Sequence, residues 1–138
     1  MKYEHVGAEE RWEDDDWKLC ISSSTCVFSY SIVGTFSVDA VRTIFQRFEQ
    51  FEKKNAPPYE VFVNMAGTKT LTSEARREAI EGLKSRRQRL ATLHVLVRSN
   101  SIAMWLNTIE LLAGVRIKTY AERSLWTAER DRLAHEAT

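Results

Sequence analysis

Three short apolar runs, 59–65 (YEVFVNM), 92–98 (TLHVLVR) and 115–120 (VRIKTY), alternate with longer stretches whose apolar residues recur every three to four positions. A chain patterned this way must form strands and helices in turn, which implies a mixed sheet with parallel βαβ units. The run 59–65 is apolar enough to be buried on both faces of such a sheet. Ahead of it, 17–22 and 26–33 are rich in aromatic and β-branched residues and read as two strands of an opening hairpin. With Ser23 and Ser24 as the turn, Leu19 faces Phe28, Ile21 faces Cys26 and Trp17 faces Tyr30, which gathers the larger side chains on one face. Cys20 then lies on the opposite face from Cys26. Both cysteines read as small core hydrophobes rather than as a disulfide.

Gly34 ends the hairpin and Ser37 can cap a helix carrying Val38, Val41, Ile44, Phe45, Phe48 and Phe51 at helical spacing. Pro57 and Pro58 prevent its continuation. After a loop at 66–72, Ser73 caps a helix to about Leu90 with Ala75, Ala79, Ile80 and Leu83 inward. A helix over 101–113 stops at Gly114, and the last helix covers 124–136. The resulting order, β-β-α-β-α-β-α-β-α, defines an α/β domain. It has a mixed β-sheet with an opening hairpin and four helices over 17–138, preceded by an acidic tail over 1–16.

The chain has 138 residues, 43% of them apolar and 28% charged, which suits one domain with its own core and excludes disordered classes. A net charge of +1 gives no whole-molecule field for nucleic acid or anionic lipid. No apolar run is long enough to span a membrane, and the first residues lack a signal-peptide core, so the expectation is a soluble cytoplasmic domain without nucleic acid or a membrane span among its partners. Charge is nevertheless uneven. Residues 1–16 carry seven acids against Lys2 and Arg11, whereas 69–98 carry eight bases against Glu74, Glu78 and Glu81. These are two solvated faces, or an acidic tail docked on a basic helix, or a basic helix that meets an acidic partner.

Catalytic and metal-binding patterns are missing from the sequence. His5, His94 and His135 lie far apart, and neither a phosphate loop, a dinucleotide fingerprint nor a nucleophile elbow occurs. The expectation is a non-enzymatic protein with no cofactor and no metal. His94, inside a buried-type strand, reads as a satisfied core histidine.

Two features suit an interaction. The segment 64–73 leaves a strand and enters a helix, so its backbone N–H groups and helix dipole can receive an anion or phosphoryl group, and Thr68, Thr70, Thr72 and Ser73 crowd there. The plainer account has Ser73 as cap and the threonines bonding loop backbone. The second feature is the helix 101–113. Ile102, Trp105, Leu106, Ile109 and Leu112 form a core stripe, and Ala103, Met104 and Leu111 extend apolarity around most of the circumference. The surplus is covered by a partner, by a second copy, or by the final helix with Leu125, Trp126 and Leu133.

The element order, the strand leading into a Ser-capped helix, and Leu106, Asn107, Ile109, Leu111, Leu112 and Gly114 before the last strand resemble STAS domains. These are the fold of bacterial anti-sigma-factor antagonists and sulfate-transporter tails. More narrowly the chain is similar to small single-domain STAS-like proteins of myxobacteria, which also resemble the CRAL-TRIO lipid-transfer fold. The resemblance covers about 17–136. It implies a regulatory protein–protein interaction module whose loop hydroxyl is phosphorylated by a partner kinase. By position Asn64 stands near the family's acidic residue, and Thr70, Thr72 and Ser73 stand near the hydroxyl. The acid is an amide here, the loop is longer, and no Gly follows Ser73. The expected partner is a kinase or regulator, with a homodimer through Met104, Trp105 and Leu111 as a further expectation. Alternatives are a carrier or sensor holding an apolar, lipid-like ligand beside the Trp105 helix, or a self-associating structural module.

Overall fold

A computed structural model describes residues 1–24 and 26–136. Among them, β1 (Lys2–Val6), β2 (Glu9–Glu13), β3 (Trp17–Ser24) and β4 (Val27–Phe36) run antiparallel in succession. After β4 come α1 (Val38–Lys54), β5 (Tyr59–Asn64), β6 (Thr68–Leu71), α2 (Ser73–Arg86), β7 (Leu90–Leu96), α3 (Asn100–Ala113), β8 (Ile117–Tyr120) and α4 (Arg123–Glu136). β5, β7 and β8 add in parallel beside β4, completing one mixed eight-stranded sheet with four helices among the described residues. This is the α/β class that the alternating pattern predicts, with β1, β2 and β6 in addition.

The acidic stretch expected as a tail over 1–16 is instead largely a hairpin in the sheet. Gly7, at φ +61, supplies the left-handed residue needed by a two-residue connection between Val6 and Glu9. Trp12 points inward and is buried, with the Arg47 guanidinium of α1 above its ring at 5.3 Å. Glu10 pairs with Arg47 at 3.1 Å. The acidic segment therefore docks on α1, not on the basic α2.

The β3–β4 register also differs from expectation. Leu19 pairs with Ile32, Ile21 with Tyr30 and Trp17 with Gly34, and the serines at 22–24 remain in the strand. The turn lies further along, where Cys26 adopts φ +69. The shift moves each residue to a partner an even number of positions away, so the expected faces survive. Cys20 and Cys26 are free and half-buried rather than core residues.

Helices cover both faces of the sheet. Val41, Ile44 and Phe48 of α1, Ala75 and Ala79 of α2, and Ile102, Leu106 and Ile109 of α3 pack with Phe28, Ile32, Val61, Val63, Leu93 and Val95. The strand residues between these, Val27, Phe62 and Leu96, face the other way onto Trp126 of α4. The final helix is thus across the sheet from α3 and does not cover it. β4 pairs with β5 through Ser31 and with β6 from Gly34 onward. The change of partner falls at Gly34, where φ is +92 and a Cβ would collide with the Asp16 carbonyl oxygen.

Candidate functional site

The segment after β5 is tied down almost residue by residue. Asn64 accepts from the Ala66 N–H at 3.0 Å through its side-chain oxygen, closing the turn that leaves the strand. Thr68 is buried and donates its hydroxyl to the Ile32 carbonyl at 2.8 Å. β6 occupies much of the expected loop, and Thr70 shares a hydroxyl–hydroxyl bond of 3.0 Å with Thr35. The Thr72 N–H then reaches the Phe36 carbonyl at 3.2 Å, holding Thr72 extended. Thr72, not Ser73, is consequently the N-cap of α2, accepting from the Ala75 N–H at 3.1 Å.

That one-position correction frees Ser73. It is the first residue of α2, exposed, and its side chain has no bond among the described residues. Nearby Lys69, Arg76 and Arg77 are exposed and form no ion pair among the described residues. Asn64, Thr70 and Thr72 are brought to the same corner of the fold, yet the side-chain oxygens of Asn64 and Thr72 already accept from backbone N–H groups and that of Thr70 is bonded to Thr35.

The α3 residues separate onto two sides. Met104 is 70% and Leu111 85% exposed, on the solvent side. Leu112, expected in the core stripe, is 57% exposed. Trp105 turns inward against Phe36, with ring centroids 6.0 Å apart. It lines a cavity of about 60 Å³ enclosed by the sheet and α1–α3, together with Tyr30, Val63, Met65, Leu83 and Leu106. Trp105 Nε1 and Arg86 Nε, in two of the lining residues, are buried without a hydrogen-bond partner among the described residues. Burial pushes the Tyr30 hydroxyl well above the usual tyrosine range. Sequence reasoning missed Tyr30 and Arg86. The position of Tyr30 between Phe28 and Ile32 on one face of β4 is a readable signal for the former, whereas Arg86 looks like any other base of α2.

Across the sheet, His94 is the satisfied histidine expected of a buried strand. Its Nδ1 meets the Tyr120 hydroxyl at 2.8 Å and its Nε2 meets Glu60 at 2.5 Å. Its ring stacks on Phe62 at 4.1 Å, and its carbonyl accepts from the Trp126 indole at 3.0 Å.

No protein-family model and no curated protein matches the chain. Several solved structures are similar to it in fold. A DUF3478-family protein with a SpoIIAA-like fold from Shewanella loihica PV-4 superposes with a TM-score of 0.63 at 6% identity, covering 91% of this chain and 98% of its own. An anti-sigma factor antagonist from Mycobacterium paratuberculosis gives 0.56 at 11% identity, covering 86% and 97%. The chain has the SpoIIAA-like, STAS-type α/β fold. No helix among the described residues is long and apolar enough to cross a membrane.

Proposed function

We propose that the protein is a non-enzymatic regulatory module that binds a protein partner through the start of α2, with Ser73 as the residue a kinase-type partner modifies. The observation that carries this reading is the division of labour between neighbouring hydroxyls. Thr72 caps the helix, which leaves the exposed Ser73 hydroxyl with no structural duty. A phosphate there would add about −1.5 to −2 charge at the positive end of a helix dipole, beside Arg76 and Arg77. The likeness in fold to an anti-sigma factor antagonist supports the same reading. The exposed side of α3, Met104 and Leu111, would serve as a further contact surface, including for a second copy.

The test is the intact mass of protein purified from its own host, with fragmentation to place any phosphate. The expected result is phosphate on Ser73, and a Ser73→Asp variant that binds the co-purifying partner differently from Ser73→Ala. Thr72→Ala serves as control, since losing the cap costs about 1 kcal/mol of stability whatever the function. No phosphate on 70, 72 or 73, together with equal binding by both Ser73 variants, would reject the reading.

A second reading, a carrier or sensor of a small apolar ligand, is favoured by one observation. The cavity beneath α1–α3 is lined by Phe28, Val63, Leu93 and Trp105 and is almost wholly apolar.

A further inference from the structure

β1 lies at one edge of the sheet, and all five of its residues are exposed. Its pairing with β2 settles which backbone groups it presents outward. The Asp14 N–H bonds the Trp17 carbonyl at 2.9 Å, so Glu10 and Trp12 bond toward β3, whereas Glu9, Arg11 and Glu13 bond toward β1. Their partners Val6, Glu4 and Lys2 spend their backbone groups on that ladder. The N–H and C=O groups of Tyr3 and His5 therefore face the open edge. At the opposite edge the Leu93 N–H bonds the Arg116 carbonyl, which turns the Ile117 N–H away from β7. There the Glu110 carboxylate takes it at 2.8 Å. β1 has no such shield among the described residues, and neither a proline nor a bulge interrupts it.

We propose that β1 pairs antiparallel with β1 of a second copy, across a two-fold axis at Tyr3, and so joins two sheets into one. Charge selects both the occupant and the register. Bonds form only where outward-facing residues lie opposite one another, which leaves axes at Lys2, Tyr3, Glu4 or His5. Axes at Lys2 and Glu4 set that residue against its own copy, two like charges face to face. An axis at His5 runs Tyr3 against Gly7 of the turn. With the axis at Tyr3, Lys2 of each copy lies directly opposite Glu4 of the other, on the same face of the sheet. Lys2 and Glu4 form no ion pair among the described residues, so both charges are available. Charges on an edge ordinarily deter pairing. Opposite signs two residues apart permit it in this one register. On the other face the two Tyr3 rings lie side by side. Each is already fixed, its hydroxyl donating to Glu10 at 2.6 Å and its ring packed on Trp12 at 5.3 Å, so little side-chain freedom is lost on pairing. The same patch serves both copies, and the contact closes at two. It is independent of the Ser73 corner and of α3.

The experiment follows the Tyr3 and His5 amide resonances of the full chain, labelled with nitrogen-15, over a concentration series at low ionic strength, where exposed charge pairs are least screened. Both should shift together as concentration rises, with a single dissociation constant. Lys2→Glu and Glu4→Lys should each weaken the association about tenfold or more, because two attractive pairs become repulsive. A mixture of these two variants should associate as wild type does, since each supplies the charges that the other needs, and so should the variant carrying both substitutions. Met104→Glu with Leu111→Glu should leave the constant unchanged, which separates this contact from one through α3. Resonances that stay fixed at every concentration would overturn the proposal and leave the edge to a strand of another protein. Shifts that Lys2→Glu does not weaken, or a mixture that associates no better than either variant alone, would overturn it as well.

Discussion

At the start of α2 the helix takes its cap from Thr72 because β6 runs further than the composition of the loop implies. Leu71 pairs with Phe36 and the Thr72 N–H bonds the Phe36 carbonyl, so Thr72 is still extended when the first helical turn needs an acceptor. Local preference ranks Ser above Thr at such a position. A long-range strand pairing decided otherwise, and nothing within the ten residues of the segment records it. Tyr30 shows the opposite case, a residue whose environment was readable from alternation alone. The burial that raises its proton affinity has a measurable consequence in alkali. Above the ordinary tyrosine value of 10.0 the unfolded chain releases this proton while the folded chain keeps it. Folding stability should therefore fall by about 1.4 kcal/mol per pH unit from this group, starting near pH 10 and persisting until the folded phenol also ionises. Below pH 10 the group is neutral in both states and has no such effect. Between pH 9 and pH 11 the urea midpoint of wild type should fall further than that of Tyr30→Phe. An equal loss in both proteins would show that Tyr30 ionises freely in the fold.

Among elements, the helices and the inner parallel strands were legible because each carries a strong period and a capping or stopping residue. Ser37 and Gly114 occupy the expected caps of α1 and α3, with Gly114 at φ +70. The β1–β2 hairpin was hidden by its charge, since nearly all of its outward positions are polar and Trp12 supplies its one deeply buried side chain. The same masking concealed the docking of Glu10 on Arg47, which depends on a residue far along the chain. α3 was read correctly as too apolar for its burial, but the sequence offered no means of placing α4 on the opposite face. Its exposed side permits a sharp contrast. Met104→Glu with Leu111→Glu should leave the unfolding free energy within about 0.5 kcal/mol per substitution. Leu106→Glu, only two residues from Met104 but buried, should cost several kcal/mol and unfold the chain, because it puts an unpaired charge into the core. Circular dichroism during urea titration separates the two. Sedimentation with and without these glutamates, in a Lys2→Glu background where the β1 edges repel, tests α3 as a contact for a second copy, which predicts a dimer that the glutamates convert to a monomer. Marked destabilisation of the double variant as a monomer would place this side of α3 under another part of the chain.

On the scale of the molecule, the two sides of the sheet are unequally covered. Three helices share the large core cluster, whereas α4 alone covers the other face, with Trp126 as its one buried residue among those described. The basic residues of α2 and of the turn that follows it show a similar asymmetry. Arg86 and Arg89 are bound to acids of α1, while Arg76, Arg77 and Lys84 remain available for an outside partner. The lopsided coverage has a dynamic consequence. Amide protons in proteins escape through openings whose free energies range from near zero to that of complete unfolding, and thinly anchored elements open first. α4 should exchange its amides with deuterium through a local opening, well before the inner strands β5 and β7, whose amides wait for global unfolding. Trp126→Ala should accelerate exchange throughout α4, and should change α1–α3 only as far as it lowers the stability of the whole fold. Uniform protection of α4 and the central strands would show instead that the C-terminal helix unfolds only with the whole. If the two regimes are separate, a protease acting on the native protein has its first opportunity at α4. The opening would uncover Phe62 and the His94–Glu60 pair while the cavity on the other side of the sheet stays closed.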